Sequence, residues 1–146
     1  MTLELDWCPN AGNGETIGFK KTAPGKPRVL VVEDEPLISM LIEEMLTELG
    51  YAVIGPAATV SDALAAVEAN HNISCALLDF QLKGERTLAV ADLLINRHIP
   101  FAFVTGFGLL AIENCRHGRA PSLPKPFTMK MLTTLLGQIV PHAKAA

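Results

Sequence analysis

Four acidic or hydroxyl side chains follow directly after apolar runs of this 146-residue sequence. Glu33 and Asp34 follow the first run, Asp79 follows a later one and Thr105 follows a third. Lys125 lies just beyond the last short apolar segment. In an open parallel sheet, ligands bind at the edge formed by the carboxyl ends of the strands. The pattern therefore predicts a single site that combines carboxylates, a hydroxyl group and an ammonium group.

The carboxylates of this group indicate a metal ion. Like charges a few ångströms apart repel each other, so Glu33, Asp34 and Asp79 need a cation between them. Oxygen ligands without His or Cys suit Mg²⁺, which commonly shares its shell with a phosphoryl oxygen. Asp79 is then the expected nucleophile that forms an acyl phosphate. Lys125 and the Thr105 hydroxyl are expected to contact the other phosphoryl oxygens.

The elements that must position these residues alternate between strands and helices. Continuous apolar runs predict strands at residues 29–32, 52–54, 75–78 and 101–104, and the weaker pattern after them predicts a short last strand at 121–123. Helical spacing and capping residues predict helices at 36–49, 60–70, 85–97, 109–116 and 129–140. The third helix is expected to carry Leu88, Ala91, Leu94 and Ile95 inward. Five βα units predict the α/β class with a doubly wound, five-stranded parallel sheet.

The composition predicts one domain with a lead-in segment. Residues 9–27 are rich in Gly, Pro, Asn, Lys and Thr without a hydrophobic period, so residues 1–27 are expected to form a flexible lead-in or linker. The folded domain is expected at 28–143, and 49% hydrophobic residues are enough to form a packed core. The net charge of −3 gives no basic field for nucleic acid, so no nucleic-acid partner is expected.

The cysteines and the hydropathy pattern indicate the compartment. Cys8, Cys75 and Cys115 form no CxxC pair and no even-numbered framework, which favours a reducing cytoplasm. The sequence has no apolar run long enough to cross a membrane, and its first residues lack the pattern of a signal peptide. We therefore expect a cytoplasmic protein without a membrane partner.

These residues resemble the signature of response-regulator receiver domains, the CheY-like phosphoacceptors of bacterial two-component systems. The matching segments are 29–36, Asp79, Thr105 with Gly106, and Lys125 with Pro126 and Phe127. The resemblance implies a flavodoxin-like (βα)5 fold for the chain. It also implies that the protein is a signalling domain and not an enzyme, apart from its own phosphorylation and dephosphorylation.

The resemblance also assigns a role to each matching residue. Asp79 matches the phosphoacceptor, and Asp34 matches the direct Mg²⁺ ligand. Glu33 matches an acid that acts through water, while Gln81 matches the position whose backbone carbonyl binds the metal and whose side chain tunes hydrolysis. Thr105 matches the switch hydroxyl. Lys125 matches the family's lysine, with a cis peptide bond to Pro126.

A subgroup resemblance rests on the segment from Pro100 to Gly108, which is similar to the FATGUY receivers that accompany HWE-type histidine kinases. Ser122 occupies the position where receivers usually carry an aromatic switch residue. Phe107 is therefore expected to take over part of that role, and both residues are assigned to a switch and partner surface. The subgroup also implies a shortened or mobile fourth helix, here residues 109–116. Leu3–Trp7 is similar to the last strand of such a kinase, which leaves a preceding kinase domain open for residues 1–27.

The expected function is to take a phosphoryl group from a histidine kinase, or from a histidine phosphotransfer protein, onto Asp79. The modified domain would then bind a downstream protein as a monomer or weak dimer. One alternative is a pseudo-receiver, an interaction module that is never phosphorylated. Another is a phosphatase with an aspartyl nucleophile, which is disfavoured because such enzymes usually carry a second Asp where Gln81 stands.

Overall fold

The computed structural model describes residues 25–106 and 120–140. The strands of its main sheet are β1 (Arg28–Val32), β2 (Ala52–Ala57), β3 (Cys75–Asp79), β6 (Phe101–Thr105) and β7 (Ser122–Pro124). Strands β4 (Gln81–Leu82) and β5 (Glu85–Arg86) form a separate small hairpin. The helices are α1 (Pro36–Glu48), α2 (Val60–Ala69), α3 (Leu88–Asn96) and α4 (Met129–Ile139).

The main sheet has five parallel strands in the order β2-β1-β3-β6-β7, as the doubly wound fold requires. The predicted fold class is therefore confirmed. The short helix predicted at 109–116 lies outside the described residues, and so does Phe107. None of the described helices is long and apolar enough to cross a membrane.

Two hydrophobic layers cover the two faces of the sheet, and the apolar residues 29–32 of β1 and 75–78 of β3 are buried between them. Leu30 and Val32 of β1 pack into the layer formed with α2 and α3. Val29 and Val31 point to the opposite face, where α1 and α4 cover them. Successive side chains of a strand alternate between the two faces. The layers on both sides thus hold the strand ends, and the polar residues there, in fixed positions.

Threonine caps begin two of the helices as the sequence predicts. The Thr59 hydroxyl accepts a hydrogen bond from the Asp62 N–H at the start of α2, at 3.0 Å. The Thr128 hydroxyl accepts one from the Met131 N–H at the start of α4, at 3.1 Å. Each cap pairs an N–H that the helix cannot satisfy internally. The predicted starts of these helices are therefore confirmed.

The prediction for the third helix was wrong at its start and on one buried residue. Helix α3 begins at Leu88, because Lys83 and Gly84 both have positive φ, 49° and 85°, and turn the chain into the hairpin β4–β5. The buried face of α3 contains Val90, Ala91 and Leu94. Ile95 lies beside that face and is 49% exposed.

Helix α1 also presents less of its apolar surface to the core than its composition indicates. The buried residues of α1 are Ser39, Ile42 and Leu46. Leu37 and Met40, in contrast, are 80% and 58% exposed. A helix buries only the stripe that faces the sheet, and the register of α1 places these two residues outside that stripe.

Strand β2 continues beyond its predicted end and is irregular there. It runs to Ala57, contains a cis Gly55–Pro56 bond and shifts its register against β1. A Cβ atom on Gly55 would lie 2.9 Å from Ala57 N and 2.9 Å from Val31 O. The Ala57 carbonyl accepts a hydrogen bond from the Glu33 N–H at 3.0 Å. The irregular end of β2 therefore helps to hold the first acidic residue.

A row of three aromatic rings lies below the carboxyl edge of the sheet. Phe80 packs edge-on against Phe103, with 5.3 Å between the ring centroids, and Phe103 packs edge-on against Phe101 at 5.5 Å. Arg86 of the hairpin lies over the Phe80 ring, 5.6 Å from its centroid. Edge-to-face pairs and a cation above a ring are favourable arrangements. The row therefore connects the hairpin with strand β6.

The thiol of Cys75 is expected to be chemically inert in the folded protein. Cys75 is fully buried at the start of β3, and burial raises the pKa of its thiol to about 12. Thiolate is the reactive form, so little of it exists at neutral pH. In a Cys8→Ser, Cys115→Ser background, a thiol reagent should label Cys75 only after denaturant is added. Rapid labelling of the native variant would contradict this burial.

Candidate functional site

Three carboxylates converge at the carboxyl edge of the sheet. Glu33 and Asp34 follow β1 directly, and Asp79 is the last residue of β3. One carboxylate oxygen from each of the three residues lies within 4.8 Å of those of the other two. Glu33 and Asp79 are only 2% and 6% exposed, whereas Asp34 is half-buried. The structure thus brings together the acidic residues that the sequence assigned to one site.

Lys125 joins this cluster from the loop after β7. Its Nζ lies 2.9 Å from Glu33 Oε1 and 3.2 Å from Asp79 Oδ2. Glu35 Oε1 lies farther away, at 3.8 Å. The Lys125 backbone N–H donates to the Thr105 carbonyl at 2.8 Å, which fixes the loop against β6. The peptide bond between Lys125 and Pro126 is cis.

The charges of the site shift two pKa values. Burial raises the pKa of Glu33, and the nearby Asp79 adds to this effect, while Lys125 and the Glu35 N–H oppose it. Burial alone would lower the pKa of Lys125, but its contacts with Glu33 and Asp79 outweigh burial and raise it. Lys125 therefore stays protonated between the two buried acids.

The hairpin β4–β5 contributes backbone groups that the sequence did not indicate. The Lys83 N–H donates to Asp34 Oδ2 at 3.0 Å. A longer contact of 3.4 Å joins the Gln81 N–H to Asp79 Oδ1. The Thr87 hydroxyl, at the end of the hairpin, donates to the Asp79 carbonyl at 2.8 Å. Gly84 gives a turn signal in the sequence, but Lys83 before it is not one of the residues that favour a two-residue hairpin turn.

A pocket that is open to solvent lies beside Asp79, between these elements. Its walls are formed by Asp34, Glu35, Asp79, Gln81, Gly106 and Lys125. Thr105 is 1% exposed and ends β6 next to Gly106. Ser122 lies in β7, where it pairs with Phe103, and is half-buried away from the pocket lining. Gln81 is thus placed at the pocket, whereas Ser122 is not.

The donor groups of the pocket fit a hard divalent cation. Three carboxylates face a single lysine among them, so the described cluster carries excess negative charge. Glu33 Oε1 is buried and, among the described residues, contacts Lys125 as an ion pair without a well-aligned hydrogen bond. Carboxylate and carbonyl oxygens are the ligands that Mg²⁺ prefers.

The fold and this arrangement define a class of signalling domain. Residues 29–137 match the response regulator receiver domain family, and the chain belongs to that family. The predicted family membership is therefore confirmed.

The chain is similar to individual relatives and solved structures as well. The phyllosphere-induced regulator PhyR of Methylorubrum extorquens is 33% identical over 140 residues, which cover 94% of this chain and 52% of PhyR. The solution structure of SdrG from Sphingomonas melonis Fr1 is 39% identical, with a TM-score of 0.71, and the match covers 80% of this chain and 98% of SdrG. A BeF3-activated conformation of SdrG from Pseudomonas melonis Fr1 is 39% identical over 79% of this chain and 97% of that one, with a TM-score of 0.67. The chain spans about half the length of the curated relatives it matches.

Proposed function

We propose that this protein is a phosphoacceptor receiver that accepts a phosphoryl group on Asp79 in a Mg²⁺-dependent step. The observation that carries the proposal is the convergence of Glu33, Asp34 and Asp79, since one oxygen of each lies within 4.8 Å of the others. The ammonium group of Lys125 contacts Glu33 and Asp79 in this cluster. An isolated acidic loop would not need a half-buried lysine between its carboxylates. A centre that binds phosphate through a cation does need both signs of charge.

The metal ligands proposed are Asp34, Asp79 and the backbone carbonyl of Gln81, with Glu33 bound through water. Bound there, Mg²⁺ offsets the negative charge of Asp79 and of an incoming phosphoryl group. Asp34 lines the pocket and accepts a backbone hydrogen bond from Lys83, and one of its oxygens lies within 4.8 Å of oxygens of Glu33 and Asp79. Gln81 also lines the pocket. These contacts support the proposed ligand set.

The reaction proposed is transfer from a phosphohistidine. A carboxylate oxygen of Asp79 attacks phosphorus, the phosphorus–nitrogen bond breaks, and the imidazole leaves with its electron pair and takes up a proton. Lys125 and the hydroxyl of Thr105 bind the phosphoryl oxygens of the acyl phosphate. Hydrolysis of that acyl phosphate by water later returns the carboxylate, and the side chain of Gln81 influences its rate.

The phosphoryl donor proposed is a histidine kinase of the HWE type or a histidine phosphotransfer protein. The resemblance of residues 100–108 to the FATGUY receivers supports this choice. The modified domain then changes the surface around Thr105 and β7 that a downstream protein binds. Ser122 and Phe107 are proposed for that surface, although Phe107 lies outside the described residues.

The setting proposed for this domain is the cytoplasm, with the protein a monomer or weak dimer. The receiver domain is assigned to residues 28–143 and a lead-in to residues 1–27.

The BeF3-activated structure of SdrG supports the mechanism by analogy, since that relative is described in an activated conformation. SdrG is 39% identical to this chain, so the analogy rests on a similar sequence as well as on a similar fold.

The test is phosphorylation of the purified protein with acetyl phosphate and Mg²⁺, followed by intact-mass measurement. Wild type should gain the mass of a phosphoryl group, and Asp79→Asn or a chelator should abolish the gain. Asp62→Asn, at an exposed position of α2, is the matched control and should react normally. Absence of modification with this donor and with candidate kinases would favour the pseudo-receiver. Sustained release of phosphate from many substrates would favour the phosphatase.

A further inference from the structure

Thr87 has an unusual set of contacts for a residue at the start of a helix. It is fully buried, and its hydroxyl donates to the carbonyl oxygens of Asp79 and Phe80, at 2.8 and 3.2 Å. Its backbone N–H also donates to the Phe80 carbonyl, at 3.1 Å. One residue therefore fixes two consecutive peptide groups, the first of which follows the proposed phosphoacceptor directly.

The capping role that a threonine usually has at this position does not explain the Thr87 hydroxyl. Thr59, Thr87 and Thr128 each occupy the N-cap of a helix. The hydroxyls of Thr59 and Thr128 accept hydrogen bonds from their own helices. The Thr87 side chain makes no such bond to α3. Instead of capping α3, the Thr87 hydroxyl donates a hydrogen bond to the carbonyl at the end of β3.

The segment that Thr87 closes is the hairpin β4–β5, and this hairpin touches the acidic cluster twice. The Lys83 N–H donates to Asp34 Oδ2, and the Gln81 N–H lies 3.4 Å from Asp79 Oδ1. Leu82 anchors the hairpin in the core and is 1% exposed. The position of the hairpin thus determines where two carboxylates and the Gln81 backbone point.

We propose that Thr87 is a positioning residue for the acidic cluster. Its hydroxyl holds the Asp79 and Phe80 peptide groups, and thereby the hairpin, in the orientation that aims Asp34, Asp79 and the Gln81 carbonyl at one cation. The inference rests on the proposed function. Without the hydroxyl, the Asp79 carbonyl loses this donor while the Phe80 carbonyl keeps the Thr87 N–H, so the Asp79 peptide plane rotates to find another partner. The carboxylates keep their charges, but their preorganised alignment is lost.

The test compares Thr87→Val, which keeps the shape and removes the donor, with Thr87→Ser, which keeps the donor. Thr59→Val is the matched control, because it removes the capping hydroxyl of α2 by the same substitution. Mg²⁺ is titrated into each metal-free protein, and the dissociation constant is read from backbone amide chemical shifts. Hydrogen exchange of the Lys83 N–H is measured in the same samples, so neither measurement depends on phosphoryl transfer.

The expected result is that Thr87→Val binds Mg²⁺ about tenfold more weakly, the typical cost of losing an outer-shell partner. Its Lys83 N–H should exchange faster. Thr87→Ser and Thr59→Val should bind Mg²⁺ as wild type does. If Thr87→Val does not fold, the pair Thr87→Ser and Thr87→Ala isolates the hydroxyl, since both lack the methyl group. Equal Mg²⁺ affinity in the donor-deficient variant and wild type would overturn the inference.

The two proposals fail in different ways. If wild type binds Mg²⁺ but gains no phosphoryl group, the proposed function is wrong, whatever the Thr87 variants do. If wild type is phosphorylated on Asp79 and Thr87→Val matches it in Mg²⁺ affinity and in amide exchange, only the positioning role is wrong.

Discussion

Replacing Lys125 with methionine is expected to destabilise the protein by about 3 kcal/mol at neutral pH, because it leaves a buried charge unpaired. Among the described residues, Lys125 Nζ is the cation paired with Glu33 and Asp79, at 2.9 and 3.2 Å, and only 16% of the lysine side chain is exposed. Methionine keeps much of the volume and removes the charge. Urea unfolding at pH 7 with a chelator present measures the effect, since a divalent cation would replace the missing charge.

The cost of this substitution should depend on pH in a defined direction. The pKa of Glu33 is raised in the folded protein, mainly by burial, so stability falls as the pH rises through its unfolded and then its folded pKa. In wild type, Lys125 lowers the pKa of Glu33 and so reduces this loss of stability. The difference between wild type and Lys125→Met should therefore shrink in acid, where Glu33 is protonated. It should also shrink in a Glu33→Gln background, and an equal cost in both backgrounds would refute the pairing.

Gly55→Ala is expected to destabilise the protein by roughly 3 kcal/mol through backbone crowding and an unfavourable φ. The new Cβ would lie 2.9 Å from each of two backbone atoms, Ala57 N and Val31 O, and φ at this residue is +98°. Ala57 N belongs to β2 itself and Val31 O to the adjacent β1, and backbone atoms of a paired sheet cannot move aside as a flexible side chain would. The free energy of unfolding from urea titration measures the loss.

Gly137→Ala is the matched control for this substitution. Gly137 lies in α4, and a Cβ there would meet no other atom within 4 Å. Alanine should stabilise the helix by about 1 kcal/mol, the usual difference from glycine in a helix interior. The two glycines should therefore respond with opposite signs. A loss at Gly137 similar to the loss at Gly55 would show that backbone crowding and the positive φ at Gly55 are not the cause.

Strands β1, β3 and β6 could be predicted because each contains a continuous apolar run followed by a polar residue. Val32 and Leu78 are buried in the sheet, and Glu33 and Asp79 follow them at its edge. The starts of α2 and α4 could be predicted because Thr59 and Thr128 cap them through their own side chains. In these segments, local chemistry and the tertiary fold agree.

The hairpin could not be predicted from apolar periodicity. Two strands of two residues are too short to show any period, and Glu85 precedes an apolar segment that has helical spacing. The Lys83 N–H contact with Asp34 is made by the backbone, so its residue type gives no signal. The exposure of Leu37 and Ile95 depends on how each helix rotates against the sheet, which tertiary packing decides.

The row of aromatic rings offers a way to observe the domain without attaching a label. Phe80 and Phe103 lie nearly perpendicular, at 82°, and Phe103 precedes the switch candidate Thr105 by two positions in β6. A ring held in one orientation displaces the proton resonances of its neighbours by its ring current. Those displaced resonances would report any rotation of Phe80 or Phe103 next to Asp79, so a one-dimensional proton spectrum can follow changes at this edge of the sheet.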